Sequence, residues 1–262
     1  MNKPVSDTMQ QVKHVLTKVP EITVYFWIIK ILTTGMGEVT SDFLANHMDP
    51  VIAVALAGIC LIVALIVQFS LRRYVAWIYW LNVIMVSIFG TMAADVLHVG
   101  FGIPYVASTI FFVVALAIIF TIWYASEKTL SIHSIYTRRR EFFYWSTILT
   151  TFALGTAVGD MTATTMHLGY FLSGVMFAAL IAIPALAYWL FDLNEIFAFW
   201  FAYIVTRPLG ASFADWAGVP SNRGGLGLGT GWVSLGLTII IFGIVGYLAV
   251  TRKDVKDAAI SG

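Results

Sequence analysis

Four aspartates recur at one position of a repeated pattern in this sequence. In each copy a glycine lies five residues before the aspartate and a tryptophan fifteen residues before it, giving W-x9-G-x4-D. The acids are Asp42, Asp95, Asp160 and Asp215, and Glu38 lies one helical turn before the first of them. Acids within apolar segments are costly and count as functional by default. Because carboxylate oxygens favour hard cations, these five residues are candidates for binding and moving a divalent metal ion or protons.

Other polar residues fall on the same helix face as the acids. Counting back from each aspartate in steps of four follows one face of a helix. Two basic residues lie on it, Arg207 about 12 Å and Lys30 about 18 Å deeper than the acids. We expect them to be counter-charges or gates for a cation. Four hydroxyl residues on this face are predicted to form its polar lining. They are Thr34, Ser87, Thr91 and Thr156.

Three histidines follow the aspartates at unequal distances. His47, His98 and His167 come five, three and seven residues after an aspartate. Imidazole ligands would widen the choice to softer divalent metals. The unequal offsets argue against a shared role, and surface histidines near helix ends are the ordinary case. His14 and His133 are interpreted in the same way, so metal ligation by histidine is the weaker hypothesis here.

Composition identifies the class of protein that carries these residues. The chain has 262 residues, of which 60% are hydrophobic and 11% charged, with a mean hydropathy of +0.87. Soluble domains carry about 25% charged residues, so a membrane protein is indicated. A single cysteine, Cys60, excludes a disulfide and a cysteine-based metal cluster. No catalytic triad, HExxH motif or phosphate-binding loop occurs, so we expect no enzyme and no nucleic-acid partner.

Eight apolar segments are long enough to cross ~30 Å of hydrocarbon, which takes about 20 residues each. They fall near residues 21–44, 50–70, 74–97, 104–126, 141–163, 167–190, 195–216 and 230–250. The sequence therefore predicts an all-α polytopic membrane protein with eight transmembrane helices. These form four parallel two-helix repeats related by pseudo-symmetry along the membrane normal. Because the even-numbered segments carry no charged residue, we expect the odd-numbered helices at the centre and the even-numbered ones against lipid.

Basic residues divide the chain and predict its orientation. The predicted divisions are a tail at 1–19, repeats 1 and 2 at 20–126, a basic loop at 127–140, repeats 3 and 4 at 141–250 and a tail at 251–262. Basic residues concentrate in the tails and in the loops that follow the second and fourth segments. The positive-inside rule then places both termini in the cytoplasm and the aspartates towards the outer face.

The tryptophan and the glycine of each repeat are given structural roles. Each tryptophan has an aromatic neighbour, and such pairs are typical of anchors at a membrane interface. Each glycine is expected to allow close helix packing. The aromatic pairs are Phe26–Trp27, Tyr79–Trp80, Tyr144–Trp145 and Phe199–Trp200, and the glycines are Gly37, Gly90, Gly155 and Gly210.

Four tandem two-span repeats, each with a tryptophan, resemble a family of bacterial integral membrane proteins built from a repeat of unknown function. The tryptophans that carry the resemblance are Trp27, Trp80, Trp145 and Trp200. The resemblance implies a bacterial inner-membrane location and a multi-pass topology, but it implies no activity.

The residues favour a cation transporter, with a divalent metal ion as the substrate and no cofactor required. The expected partners are the lipid bilayer and the cation. The oligomeric state does not follow from the sequence. A ring of carboxylates also occurs in channels, although the internal positive charges favour a carrier. Two alternatives stay open. One is a proton-coupled exporter of a small organic solute, and the other is a scaffold or sensor that transports nothing.

Overall fold

A computed structural model of the chain describes residues 17–191 and 193–255, and it contains eight long helices. They are α1 (Val24–His47), α2 (Pro50–Ser70), α3 (Ala76–Asp95), α4 (Tyr105–Glu127), α5 (Arg138–Asp160), α6 (Gly169–Phe191), α7 (Glu195–Gly218) and α8 (Thr230–Thr251). No strand occurs in these described ranges, so the all-α prediction is confirmed. Six helices are long and apolar enough to cross a membrane. The other two are α1, which carries three charged residues, and α6, whose apolar stretch is Gly169–Pro184.

The ends of α5 differ from the predicted segment by three residues. The sequence placed residues 127–140 in a basic loop, but the helix already begins at Arg138. Thr137 explains the difference, because its side chain accepts a hydrogen bond from the Arg140 backbone amide and caps the helix. At their other ends, α3 and α5 continue as π-helical segments, Val96–Gly100 and Met161–Thr165. Each of these segments follows directly after an aspartate of the repeat.

The odd-numbered helices form a closed inner ring. Helix α1 packs on α3, α3 on α5, α5 on α7, and α7 returns to α1. Each even-numbered helix packs chiefly on the inner helix that comes next, so α2 covers α3, α4 covers α5, α6 covers α7, and α8 covers α1. The outer helices expose apolar side chains such as Ile59, Ile62 and Ile66 of α2. The prediction that the odd helices occupy the centre is confirmed.

The repeated glycines permit the close approach of the inner helices. A Cβ atom at any of them would lie between 1.8 and 2.8 Å from a side-chain atom of the next inner helix. Each contacted residue lies eight positions before the aspartate of its own repeat. The contacts therefore follow one four-fold pattern, and the packing role predicted for the glycines is confirmed. The pairs are Gly37–Ser87, Gly90–Phe152, Gly155–Arg207 and Gly210–Thr34.

The end of the bundle opposite the aspartates, here called the base, is built from residues 17–23, 71–75, 128–137 and 252–255. The two ends of the described chain meet there, since the Glu21 amide donates to the Asp254 carbonyl at 2.9 Å. The Lys18 amide donates to the Ile135 carbonyl at 2.9 Å, and its ammonium lies 2.5 Å from Glu141. Lys18 and Glu141 are both buried, so this part of the predicted N-terminal tail is packed into the fold.

The aromatic pairs of the repeats are not interfacial anchors, and that prediction is wrong. Of the four tryptophans, Trp80, Trp145 and Trp200 are at most 5% exposed, and Trp27 is partly buried. Their four aromatic neighbours are buried as well. The physical reason is that the outer helices and the loops of the base cover this level of the inner ring. The rings therefore fill the centre of the bundle above the base instead of meeting lipid headgroups.

Candidate functional site

Arg207 of α7 connects all four inner helices at the centre of the bundle. Its guanidinium is fully buried, and Nη2 lies 2.6 Å from Oε2 of Glu38 on α1. Nη2 also donates to the Thr156 hydroxyl of α5 at 2.8 Å and to the Thr91 hydroxyl of α3. Nη1 donates to the Thr34 carbonyl at 3.4 Å. The structure thus pairs the predicted counter-charge with one predicted acid and two of the predicted lining residues.

The repeat explains how these side chains come to one level. Glu38, Thr91 and Thr156 each lie four residues before the aspartate of their repeat, so equivalent positions meet on the axis. Arg207 starts one turn deeper, eight residues before Asp215, and its long side chain reaches up to that level. Charge-assisted hydrogen bonds of this kind are strong. They are needed here, because two buried charges lose their hydration.

Below Arg207 the centre is filled and not open. The Thr34 hydroxyl lies 2.6 Å from the Ile31 carbonyl of its own helix and 3.2 Å from the Thr206 carbonyl of α7. The Ser87 hydroxyl of α3 donates to the Thr33 carbonyl of α1 at 2.9 Å. These two predicted lining residues therefore serve helix contacts.

Lys30 lies at the next level down. Its ammonium sits 4.0 Å from the ring centre of Phe152 and 4.1 Å from that of Tyr203. It is buried and makes no hydrogen bond to any described residue. A cation over aromatic faces gains some stabilisation, and the rings close the centre at this level.

Above Arg207 the acids form two overlapping groups. Carboxylate oxygens of Glu38, Asp160 and Asp215 lie within 4.8 Å of one another. The second group has one ligand atom from each of Asp95, His98 and Asp160, and these atoms also lie within 4.8 Å of one another. Asp160 belongs to both groups. Asp42 is partly buried and belongs to neither.

The structure separates the three candidate histidines. His98 is 8% exposed, its Nε2 lies 2.5 Å from the Ser108 hydroxyl, and its Nδ1 lies 3.9 Å from Asp160. His47 is exposed, stacks on Phe43 and contacts its own helix backbone. His167 is exposed as well. Of the three offsets, only the three-residue offset of His98 lies within one helical turn of its aspartate, and it is the signal in the sequence that favours His98.

The two remaining histidines lie away from the acids. His133 is part of the base, 3.9 Å from Glu21 and 3.8 Å from Glu195. His14 lies outside the described residues.

Among the acids and histidines of the acidic end, two buried atoms lack hydrogen-bond partners in the described residues. They are Oδ1 of Asp215 and Nδ1 of His98. Buried polar atoms are paired in the great majority of cases, so each exception calls for an explanation. Both atoms are acceptors that a metal ion can satisfy. The π-helical segments beside Asp95 and Asp160 also mark this end, since such irregularities are frequent at functional sites.

Comparison with known proteins gives a family but no activity. Neither the curated proteins nor the solved structures contain a match to the chain. One family description matches residues 25–74, 78–129, 143–193 and 198–254, which confirms the four tandem repeats. The chain therefore belongs to the family described as Repeat of Unknown Function (DUF347), and it is built from four copies of that repeat.

Proposed function

We propose that the protein is a membrane transporter for a divalent cation. The ion binds the carboxylates at the end of the inner ring where the repeat aspartates meet. The observation that carries the proposal is the convergence of Glu38, Asp160 and Asp215 within 4.8 Å. Among the residues that the structure describes, one cation, Arg207, forms an ion pair with this group. Several carboxylates so close together cannot all remain ionised unless a cation or protons offset their repulsion.

The filled centre favours a carrier over an open channel. A cation at the acidic end meets Arg207 first and then Lys30 among aromatic rings. The fixed positive charge of Arg207 on the axis would repel a permeant cation in a static pore, and the rings around Lys30 close the centre below it. Carriers instead expose a central site to one side at a time by moving helices or repeats.

Arg207 supplies a link between ion binding and such a movement. In the described state it holds α1, α3 and α5 together through Glu38, Thr91 and Thr156. A divalent ion that binds Glu38 competes with the guanidinium for the same oxygens. Binding would therefore weaken the contact that closes the centre, and release of the ion would restore it.

The test is ion movement by the purified protein in proteoliposomes. Mn²⁺, Mg²⁺, Ca²⁺ and Zn²⁺ would each be offered to the intact chain and to Asp160→Asn. Losing a ligand shared by both groups should lower the initial rate by about tenfold or more. Asp49→Asn is the matched control, because Asp49 is an exposed helix cap and asparagine caps equally well.

Two results would contradict the proposal. One is that the intact protein moves none of the four ions, and the other is that Asp160→Asn transports them as fast as the intact protein. Either result would remove the transport of these ions and would return the choice to a solute exporter or a scaffold.

A further inference from the structure

At the acidic end, we propose a binding site for a transition-metal ion formed by Asp95, His98 and Asp160. It takes Co²⁺ or Zn²⁺ in preference to Mg²⁺ or Ca²⁺. The inference deepens the proposed function and rests on it for the later movement of the ion, but binding at this site is testable by itself. Its basis is which ring nitrogen of His98 carries the proton and which residue the other nitrogen faces.

We assign the proton of the His98 ring to Nε2 from the hydrogen-bond partners of the residue. The Ser108 hydroxyl lies 3.0 Å from the Tyr105 carbonyl and donates its only proton there. Its oxygen then accepts a hydrogen bond from Nε2–H of His98 at 2.5 Å. The other nitrogen, Nδ1, is left with a free lone pair. Metal-binding histidines characteristically donate their second N–H to an oxygen in this way.

That lone pair points at an acid. Nδ1 of His98 lies 3.9 Å from Oδ2 of Asp160 and makes no hydrogen bond to any described residue. A neutral imidazole acceptor facing a carboxylate acceptor gains nothing from the contact. A cation between the two atoms would bind both of them. The side chain is buried, so the arrangement is held by the fold rather than by chance at a surface.

The distances fit one metal ion after a small adjustment. Metal bonds to imidazole nitrogen and carboxylate oxygen are about 2.1 Å long, so two ligands of one ion lie at most about 4.2 Å apart. The His98–Asp160 distance of 3.9 Å falls within that limit. The complete set lies within 4.8 Å, so a side-chain shift of less than about an ångström closes it. The Tyr105 ring, 4.4 Å from the imidazole centre, supports the ring in place.

The nitrogen ligand determines which ions the site prefers. Imidazole suits zinc and the other first-row transition metals, whereas Mg²⁺ and Ca²⁺ bind almost wholly through oxygen. The neighbouring group of Glu38, Asp160 and Asp215 offers only oxygen. Because Asp160 belongs to both groups, an ion selected at His98 can pass to the deeper acids without leaving that carboxylate. His98 would then act as the residue that determines ion specificity.

The site is tested by equilibrium binding to the purified full-length chain in detergent. Calorimetry would measure the affinity for Co²⁺ and for Mg²⁺, and the absorption bands of bound Co²⁺ report an imidazole ligand. His98→Gln should weaken Co²⁺ binding by about tenfold or more and change Mg²⁺ binding much less. His47→Gln and His167→Gln are matched controls. Both histidines also follow a repeat aspartate but are exposed, so their variants should bind Co²⁺ as the intact protein does.

Ser108→Ala provides a second variant with a smaller change in the core. It keeps the imidazole but removes the oxygen that fixes its tautomer, so Co²⁺ affinity should also fall while the Co²⁺ absorption bands persist. The proposal is overturned if His98→Gln binds Co²⁺ as tightly as the two control variants. It is equally overturned if Ser108→Ala leaves the affinity for Co²⁺ unchanged. The same holds if His98→Gln lowers the affinities for Co²⁺ and Mg²⁺ by equal factors.

The two proposals fail in different ways. Co²⁺ binding that depends on His98, in a protein that moves no ion, would remove the transport proposal and retain the site. Ion movement without any dependence of Co²⁺ affinity on His98 would retain transport and remove the site.

Discussion

Arg207 carries its charge in a fully buried position at the centre of the site. Its side chain occupies the space left by Gly155, where a Cβ would lie 2.1 Å from its Cγ. Its guanidinium binds Glu38 and two threonines on other helices. A buried ion pair adds little net stability, because both charges are desolvated. Removing only one partner is far more costly, since the other charge is then buried alone.

This asymmetry gives a prediction for paired substitutions. Arg207→Met should lower the free energy of unfolding by about 3 to 5 kcal/mol, because Glu38 is left unpaired. The double variant Arg207→Met with Glu38→Gln should recover much of that loss. Unfolding in detergent micelles, followed by circular dichroism, measures both. Purely additive effects of the two substitutions would show that the pair is not coupled.

The sequence identified which residues form the site better than it identified which of them contact one another. Recurrence of the aspartates and the four-residue steps placed Glu38, Thr91 and Thr156 at the same position on the polar faces of three helices. The structure brings these three positions to one level of the bundle. The direct contact of Arg207 with Glu38 was not predictable, because it depends on how four helices are offset along the axis. His98 could not be separated with assurance from His47 and His167, since burial depends on α4, which supplies Ser108.

Among the helices, the contact between neighbouring repeats is set by glycine. The cyclic pairs are the same at all four positions, although the contacted side chains range from serine to arginine. Close contact through small residues is a common means of helix association in membranes. The tryptophan prediction failed at the same scale, because a local pattern of aromatic residues does not show which outer helix covers it. Here each inner helix is covered by the outer helix that precedes it around the ring.

Alanine substitutions test the glycine contacts with an internal control. Gly155→Ala should destabilise the protein by about 1 to 3 kcal/mol or more, because the methyl group overlaps Arg207. Gly243 lies on the outer helix α8, and a Cβ there would meet nothing within 4 Å. Gly243→Ala should therefore be neutral or stabilising by up to about 1 kcal/mol. Equal melting temperatures for the two variants would refute the packing account.

Over the whole molecule, the last helix completes the outer layer and the base joins the two ends of the described chain. Helix α8 covers α1, so the two ends of the described chain lie side by side. At the base the Tyr74 hydroxyl donates to the Asp254 carboxyl at 2.5 Å. Burial raises the pKa of Asp254 above its ordinary value, and the Tyr74 hydrogen bond offsets part of that rise. This contact joins the end of the first repeat to the end of the fourth.

The raised pKa predicts the direction of a pH effect on the base. A carboxyl group whose pKa is higher in the folded state favours folding most fully below its unfolded pKa of about 4. That contribution is lost as the pH rises through the raised value. The melting temperature of the intact protein should therefore fall more steeply with rising pH than that of Asp254→Asn. Parallel pH profiles for the two proteins would show that Asp254 does not contribute.

The central claim is that the acids at one end of the inner ring bind a divalent cation. The most direct measurement is an anomalous diffraction map from crystals of the full chain grown with Mn²⁺. The account predicts a peak bonded to Asp160, about 2.0 to 2.6 Å from its carboxylate oxygens as for divalent ions in general. Crystals of Asp160→Asn should lack that peak. Mn²⁺ peaks confined to other parts of the protein, or an unchanged peak in Asp160→Asn, would contradict the account.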